Sequence, residues 1–344
     1  MQLSARKLKI LSAVIDSYVQ SAEPVSSKFL CDLLGFSVSS ATIRNELAEL
    51  TELGFLEQPH TSAGRIPSNL GYRLYINKLM SRAHLSRKTK DYIDSELDLT
   101  ENDPDIILKN AANLLAKMTN YAVLSTNVST QKNAVRNIQL VQVGPCATMI
   151  ILTTSSGIIK NRVFRFDFLL TTDVLISLNK MLNENFVGVL LSEITPAYIQ
   201  TVAASLGEIA LFTSDALSTL LEVARQASKV DFHFDGQTNL LLVPEFNQQS
   251  AIKLMNFFIR ADDISNLFLL PEKHKTCIFI GQENLYEELA QSSLVITKYR
   301  VNGESYGVLG VVGPTRMNYP NVITNLEYVA SLLGRTLEKL LDFE

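Results

Sequence analysis

The sequence is poor in the residues from which metal centres and nucleophilic active sites are built. Its 344 residues include four histidines and three cysteines, and the histidines lack the spacing of metal ligands. Cys31, Cys146 and Cys277 lie far apart among apolar neighbours, which indicates reduced core thiols and not a disulfide framework. The sequence therefore predicts no zinc site and no disulfide staple.

The motifs of common enzyme classes are absent as well. Segment 310–316 contains two glycines but lacks the lysine and the spacing of a phosphate-binding loop, and there is no serine nucleophile elbow. Asp231, His233 and Asp235 would share one face of a strand and could recruit a metal, although a solvated strand face is the favoured interpretation. We therefore expect no enzyme activity and no cofactor.

Long apolar runs are also missing. No segment supplies the roughly 20 apolar residues that a helix needs to cross a bilayer. Asp16 interrupts the apolar stretch near the N-terminus that superficially resembles a secretory signal. The expectation is a cytoplasmic protein without a membrane partner.

What is present is the composition of a globular protein with an uneven charge. Hydrophobic residues make up 47% and charged residues 19% of the 344 residues, which predicts two or three domains with sizeable cores. Residues 1–90 contain 12 Lys and Arg against 7 Asp and Glu, a net charge of +5, whereas the rest carries 19 against 28, a net charge of −9. A basic front end on an acidic body is typical of a small nucleic-acid-binding domain joined to a larger module.

The first fifty residues predict three helices. Residues 6–21 carry apolar side chains at the spacing of one buried helical stripe, and Pro24 ends this helix. Ser26 or Ser27 can cap a second, short helix that stops at Gly35. A third helix follows after a tight connection at 36–40, so the order is that of a helix-turn-helix.

The third predicted helix has the composition of a helix that reads DNA. Ser39 is a natural N-cap for it, and Gly54 is placed to terminate it. Its buried stripe is predicted at Ile43, Leu47 and Leu50. The opposite face comprises Ala41, Thr42, Arg44, Asn45 and Ala48. Small side chains let a helix approach a groove, while Arg and Asn can read guanine and adenine by paired hydrogen bonds.

A β-hairpin is predicted directly after this helix. Extended residues in 55–67 flank a Ser-Ala-Gly turn, and the residues at its tip could contact phosphates or a minor groove. The alternative is a structural three-helix subdomain that makes no DNA contact. The predicted DNA-binding residues are Lys28, Ser39, Ser40, Ala41, Thr42, Arg44, Asn45, Ala48, His60, Thr61, Ser62 and Arg65.

Motifs spread along the chain carry a family resemblance. They are SSATIRNELAEL at 39–50, GFL at 54–56, TSAGRIP at 61–67, GYR at 71–73, FDGQTNLL at 234–241, PEF at 244–246, IGQEN at 280–284 and GPTRMNY at 313–319. Together and in this order they resemble the HrcA family of bacterial heat-inducible transcription repressors. The resemblance covers essentially the whole chain.

Downstream of the first hundred residues the pattern alternates between strands and helices. Strands are predicted at 140–143, 147–154, 158–166, 277–281, 294–301 and 305–312. Helices are predicted at 104–120, 171–185 and 320–341. We expect the early and the late strands to share one mixed sheet, with a second unit at residues 187–245 inserted between them.

The resemblance implies an α+β multidomain fold. It comprises an N-terminal winged helix-turn-helix and a GAF-like α/β domain that is interrupted by an inserted dimerisation domain. The expected boundaries are 1–75 for the winged-helix DNA-binding domain, 76–103 for a helical linker, 104–186 and 246–344 for the two parts of the GAF-like domain with the C-terminal helix, and 187–245 for the inserted domain.

The resemblance also implies a function and partners. A homodimer would bind double-stranded DNA at the CIRCE inverted-repeat operator and repress heat-shock chaperone operons of the groE and dnaK type in the bacterial cytoplasm. The GroEL chaperonin would maintain this activity, which would be lost on heat shock. One alternative is a winged-helix regulator whose GAF-like domain senses a small ligand. A more distant alternative is a structural winged-helix protein that binds other proteins.

Overall fold

The computed structural model describes residues 3–35, 39–97, 101, 103–127, 133–207, 210–229, 231–259, 275–284, 286–301 and 303–340. Contacts group the chain into two compact units. The first comprises Met1–Ser125, His233–Lys298 and Val308–Leu333, and the second comprises Thr126–Phe232, Tyr299–Gly307 and Gly334–Glu344. The five segments expected from the sequence stay predictions.

Three helices open the first unit. They are α1 (Ala5–Ser21), α2 (Ser27–Leu34) and α3 (Ser40–Glu52). Each begins after a serine whose Oγ accepts a backbone N–H of the first turn: Ser4 from Lys7, Ser26 from Phe29 and Ser39 from Thr42. Gly35 ends α2 in the left-handed conformation with φ 55°. The three predicted helices are confirmed, while residues 36–38 of the predicted connection lie outside the described residues.

A short antiparallel hairpin follows α3. Strand β1 (Leu56–Glu57) pairs with β2 (Ile66–Pro67), and Leu56 lies opposite Pro67. Helix α4 (Asn69–Leu74) begins directly after β2 and continues into a π-helical turn at Tyr75–Leu79. The predicted hairpin is confirmed, although each paired strand is only two residues long.

The remaining elements are groups of helices and groups of strands along the chain. The helices are α5 (Arg87–Glu96), α6 (Pro104–Thr119), α7 (Thr172–Phe186), α8 (Pro196–Ser205), α9 (Ala210–Ala227), α10 (Gln248–Ile259) and α11 (Tyr319–Leu340). The strands are β3 (Ala122–Asn127), β4 (Val135–Gln142), β5 (Ala147–Thr154), β6 (Ile159–Arg165), β7 (Asp231–Asp235), β8 (Thr276–Ile280), β9 (Ser292–Val301) and β10 (Glu304–Pro314). This mixed content confirms the α+β class.

The strands form two larger sheets, and their membership corrects one expectation. A five-stranded sheet has the order β7-β3-β10-β9-β8, and a separate three-stranded sheet has the order β4-β5-β6. The expectation that the strands in 140–166 share a sheet with the late strands is therefore wrong. Side-chain patterns identify a strand and its buried face, but they do not determine which backbone edges pair.

In the second unit, one face of the three-stranded sheet forms a core with helices α7 and α9. This core includes Ile138, Leu140, Ile150, Leu152, Leu182, Phe186, Leu220 and Val223. Two asparagines of α7 bond the backbone of β4: Asn183 accepts from Ile138 N–H (3.0 Å) and donates to its carbonyl (2.7 Å), and Asn179 accepts from Leu140 N–H (3.0 Å). These amides satisfy edge groups that would otherwise need a further strand.

The C-terminal helix follows its prediction, whereas the cysteines, which were expected in the core, are only partly buried. The predicted stripe of α11 is buried at Val322, Leu326, Val329, Leu333 and Leu337. All three cysteines are free thiols with partial exposure. Within the described ranges, no helix is both long and apolar enough to span a membrane.

Candidate nucleic-acid interface

The third helix presents its predicted face to solvent. Ile43, Leu47 and Leu50 are buried at 4% exposure or less. On the other side, Ala41, Arg44 and Asn45 are exposed, while Thr42 and Ala48 are half-buried. The predicted orientation of α3 is therefore confirmed. A helix whose small and polar face is open to solvent can enter a DNA groove without first unpacking.

Two of the three glutamates of α3, Glu46 and Glu49, are paired with basic residues of a neighbouring helix. The Nζ atom of Lys7 on α1 lies 3.1 Å from Glu46 Oε2 and 2.8 Å from Glu49 Oε2, and Arg6 Nη1 lies 3.8 Å from Glu46 Oε1. The hydrogen bonds to Glu49 and Glu46 raise the pKa of Lys7 above its ordinary value. The two carboxylates therefore face an ammonium group, which reduces their repulsion of phosphates.

The start of α3 combines a cap with exposed polar groups. Ser39 Oγ accepts the Thr42 N–H (3.3 Å) and lies 3.2 Å from Thr42 Oγ1, so both hydroxyls are engaged in the cap. Ser40 is half-buried, and Lys28 is exposed on the first turn of α2. The N-terminal end of a helix carries a partial positive charge, which favours a phosphate nearby.

The tip of the hairpin is exposed and internally braced. Gln58 Nε2 donates to the carbonyls of Thr61 (2.9 Å) and Ala63 (3.1 Å), and the Ala63 N–H donates to the His60 carbonyl (2.9 Å). His60, Thr61 and Ser62 are exposed at this tip. These hydrogen bonds hold the three predicted contact residues in one turn without a bound ligand.

Arg65 has a structural role that its sequence position did not indicate. Its Nε donates to Thr51 Oγ1 of α3 (2.9 Å), and its backbone exchanges two hydrogen bonds of 2.9 Å with Val25. The neighbouring Gly64 is necessary, because a Cβ there would lie 2.4 Å from the Val25 carbonyl oxygen. Arg65 therefore ties the hairpin to α3 and to the α1–α2 connection. Its predicted phosphate contact stays a prediction.

Sequence reasoning missed Lys7, Gln58 and the link from Arg65 to Thr51. No sequence motif around Lys7 or Gln58 indicates their contacts, and Thr51 is 14 residues from Arg65 in the sequence. A basic residue early in α1 and a Glu pair on α3 were visible signals. Their spacing along the sequence does not show that they meet.

On the strand considered for metal binding, Asp235 is engaged in other hydrogen bonds. Asp235 accepts from Asn113 Nδ2 (2.9 Å) and from the Gly236 N–H (2.6 Å). His233 Nε2 lies 3.9 Å from Asp105 Oδ1, and the side chain of Asp231 lies outside the described residues. In the part of the chain that the structure covers, no group of three or more His, Cys, Asp or Glu side chains could hold a metal ion.

Comparison with known proteins gives consistent matches over the whole chain. Residues 105–323 match the family model of the HrcA protein C-terminal domain. A heat-inducible transcription repressor HrcA of Ruminiclostridium cellulolyticum is 33% identical and covers 99% of each chain. The repressor of the same name from Natranaerobius thermophilus is 35% identical and covers 98% of each chain.

Among solved structures, a crystal structure of a hypothetical protein has a TM-score of 0.66 and 22% identity, and it covers 98% of this chain and 100% of its own. At that identity the likeness shows a shared fold. The match of residues 105–323 and the full-length relatives are more specific. Together they show that the chain belongs to the HrcA family.

Proposed function

We propose that this chain is a heat-inducible transcription repressor that binds operator DNA through a winged helix-turn-helix built from α1–α3 and the β1–β2 hairpin. The observation that carries the proposal is the solvent-exposed face of α3 at Ala41, Arg44 and Asn45. Two carboxylates of the same helix, Glu46 and Glu49, are paired to Lys7. Two full-length relatives are named as such repressors.

In the proposed complex, α3 lies in the major groove and the hairpin tip reaches the backbone or the minor groove. Arg44 and Asn45 contact base edges, where paired hydrogen bonds distinguish guanine and adenine. Lys28, Ser39, Ser40 and Thr42 lie at the start of the helix-turn-helix, and His60, Thr61, Ser62 and Arg65 lie on the hairpin. These groups contact phosphates, which position the protein without reading sequence.

We further propose that a homodimer places two copies of α3 on an inverted repeat, the CIRCE operator. A surface for this pairing is available on the face of the three-stranded sheet that points away from α7 and α9. There Met149 is paired in register with Val141 and Val163, and Thr153 with Ile159. Ile159 and Val163 are 59% and 54% exposed. Apolar side chains clustered on an open face are typical of a protein interface.

The proposed targets are chaperone operons of the groE and dnaK type in the bacterial cytoplasm, with GroEL maintaining the active repressor and heat shock releasing it. The mean hydropathy of the chain is +0.13, and large apolar side chains such as Leu169 and Phe212 are 72% and 61% exposed. A chain with this much exposed apolar surface fits the role of a chaperonin client. The GAF-like domain remains part of this proposal. The proposed dimer face lies at residues 141–163, and so replaces residues 187–245 as the dimerisation surface.

The experiment that tests DNA binding uses the full chain. A random duplex pool is selected for binding, and the enriched sequence is titrated at stated salt concentrations. We expect an inverted repeat to be enriched and Arg44→Ala with Asn45→Ala to abolish its preference over scrambled DNA. The matched control is Arg225→Ala, an exposed arginine on α9. Enrichment of no sequence, or equal losses for the control, would contradict the proposal.

The dimer is tested by sedimentation. We expect Val163→Asp to shift the chain from dimer to monomer, because burial of a carboxylate in an apolar interface is strongly unfavourable. Ile252→Asp on α10 is the control, since Ile252 is similarly exposed at 52%. A dimer that survives Val163→Asp would exclude this sheet face as the interface.

A further inference from the structure

Helix α4 is tied closely to the DNA-binding elements before it. Ser68 Oγ donates to the Gly54 carbonyl at the end of α3 (2.6 Å), and the Ser68 N–H donates to the Phe55 carbonyl (3.1 Å). Gly71 packs directly against Phe55, the residue before β1, since a Cβ at Gly71 would lie 2.2 Å from the Phe55 carbonyl oxygen. A rotation of α4 would therefore move α3 and the hairpin with it.

The other side of α4 is anchored to the turn that follows β8. Arg73 Nε donates to Glu283 Oε1 (2.9 Å), and Arg73 Nη2 donates to the second carboxylate oxygen and to the Ile278 carbonyl (2.6 Å). Asn69 fills the space above Gly281, where a Cβ would lie 2.2 Å from Asn69 Nδ2. A planar guanidinium that binds both oxygens of a carboxylate fixes orientation as well as distance.

A second anchor holds the end of α1. Arg316 pairs through Nε and Nη2 with the two carboxylate oxygens of Glu245, and its Nη1 donates to the Val19 carbonyl (3.5 Å). Arg316 is half-buried between these partners. The pairing with Glu245 raises the pKa of Arg316 although burial alone would lower it. The last turn of α1 is therefore held at a point separate from α4.

We infer that Arg73 and Arg316 are positioning residues, which set the orientation of α3 relative to Glu283 and Glu245 and thereby the half-site spacing that a dimer accepts. The inference rests on the proposed function. With one ion pair, the helices packed with α3 could still rotate about that pair. Two ion pairs, one contacting α4 and one contacting α1, prevent this rotation. Both ion pairs lie on elements other than α3. They consequently act on the geometry of the dimer on DNA and leave the base contacts of each copy unchanged.

The test uses the full chain and an inverted repeat obtained by selection with the wild type. Probes with the spacer shortened or lengthened by one to three base pairs, and a probe with a single half-site, are titrated in parallel. We expect Arg73→Glu and Glu283→Arg each to lower affinity for the preferred spacing about fivefold or more and to flatten the preference among spacings. We expect the double variant Arg73→Glu/Glu283→Arg to restore both in part, because the swapped pair re-forms the ion pair but not the hydrogen bonds to the Ile278 carbonyl and from the Ile280 N–H. We expect Arg316→Gln to reproduce the flattening independently.

The single half-site probe separates positioning from reading. We expect all these variants to bind it as the wild type does, with Arg225→Glu as a surface control for added charge. A spacing preference that is unchanged in Arg73→Glu and Arg316→Gln overturns the inference. A half-site affinity that falls as much as the affinity for the full repeat also overturns it. A wild type that binds no inverted repeat defeats the proposed function itself, whatever the variants do.

Discussion

The Nζ atom of Lys7 on α1 lies 2.8 Å from Glu49 Oε2 on α3. The same ammonium lies 3.1 Å from Glu46 Oε2, so one lysine pairs with two carboxylates of the proposed recognition helix. Without it, two unpaired negative charges would lie near the phosphates in the proposed complex of α3 with DNA. Lys7 therefore links α1 to α3 and also reduces the negative charge of the proposed recognition helix.

Lys7→Gln is predicted to weaken binding to all DNA sequences several-fold while the preference among bases stays unchanged. The reason is that Glu49 would lose its ammonium partner and Glu46 would keep only Arg6, so both would repel phosphates more strongly, an effect that carries no sequence information. Titration of specific and scrambled duplexes measures both effects. Lys180→Gln on α7 is the control for loss of a surface lysine, and Lys7→Gln/Glu49→Gln should recover part of the affinity. An unchanged affinity would show that the carboxylates lie too far from the DNA to matter.

Arg44→Ala or Asn45→Ala is predicted to cost about 1 to 3 kcal/mol of binding free energy and to relax base preference at one position of each half-site. Both side chains are exposed on α3, so neither substitution removes a core contact. The measurement is a titration against a set of single-base operator variants. Unchanged affinity and unchanged base preference would show that the residue does not recognise bases.

Arg65→Ala is predicted to weaken binding across all sequences, flatten its salt dependence and lower thermal stability. The lost Nε hydrogen bond to Thr51 Oγ1 (2.9 Å) accounts for about 1 kcal/mol of stability, and the lost charge accounts for the salt effect. Thr51→Val separates the two, because it removes the acceptor and keeps the guanidinium. It should lower the melting temperature and leave the salt slope unchanged. A base-specific loss in Arg65→Ala would contradict a phosphate contact.

Gly64→Ala is predicted to destabilise the chain by about 1 to 3 kcal/mol. Its Cβ would lie 2.4 Å from the Val25 carbonyl oxygen and 2.8 Å from the Pro24 carbonyl carbon, so the hairpin must move away from the α1–α2 connection. Denaturant unfolding measures the loss. Gly144→Ala is the matched control, since its Cβ meets only Ala147 atoms, at 3.4 Å or more. Equal stability of the two variants would mean that the hairpin is not held against Val25.

The contribution of Glu283 to stability is predicted to disappear at low pH. Burial alone would raise the pKa of Glu283, but the hydrogen bonds from Arg73 and from the Ile280 N–H hold it below its ordinary value. Its stabilising effect is therefore fully present above the unfolded-state pKa of about 4.3 and is lost as the pH falls through the lower folded-state pKa. Melting temperatures of the wild type and Glu283→Gln should differ at neutral pH and converge below that range. Glu193→Gln, at an exposed carboxylate, is the control; a wild-type advantage that persists at low pH would be inconsistent with this pair.

Local features of the fold were predictable because they depend on neighbours in the chain. A serine followed by apolar residues at helical spacing predicts a capped helix. Ser39 caps α3 as expected, and Ser26, one of the two candidates, caps α2. The stripe of α3 and that of α11 are buried as predicted. Strand β5 (Ala147–Thr154) has the predicted bounds, because alternation of buried and exposed side chains is itself a local pattern.

The partition of strands between sheets was not predictable in this way. Strand β3 joins β10 across more than 170 residues of sequence, whereas β4, β5 and β6 pair among themselves. Backbone hydrogen bonds are the same for every residue type, so composition identifies a strand but not its partner.

By itself, the amino-acid sequence determined the helices of the front segment, their caps, the exposed face of α3 and the family resemblance, since each depends on residue types at short spacing. Only the tertiary structure decided that Lys7 pairs with Glu46 and Glu49 and that Arg65 bonds Thr51. It also decided that Arg73 links α4 to Glu283 and that Arg316 links the end of α1 to Glu245. The physical reason is that hydrogen bonds and ion pairs form between groups a few ångströms apart in space, whatever their separation along the chain.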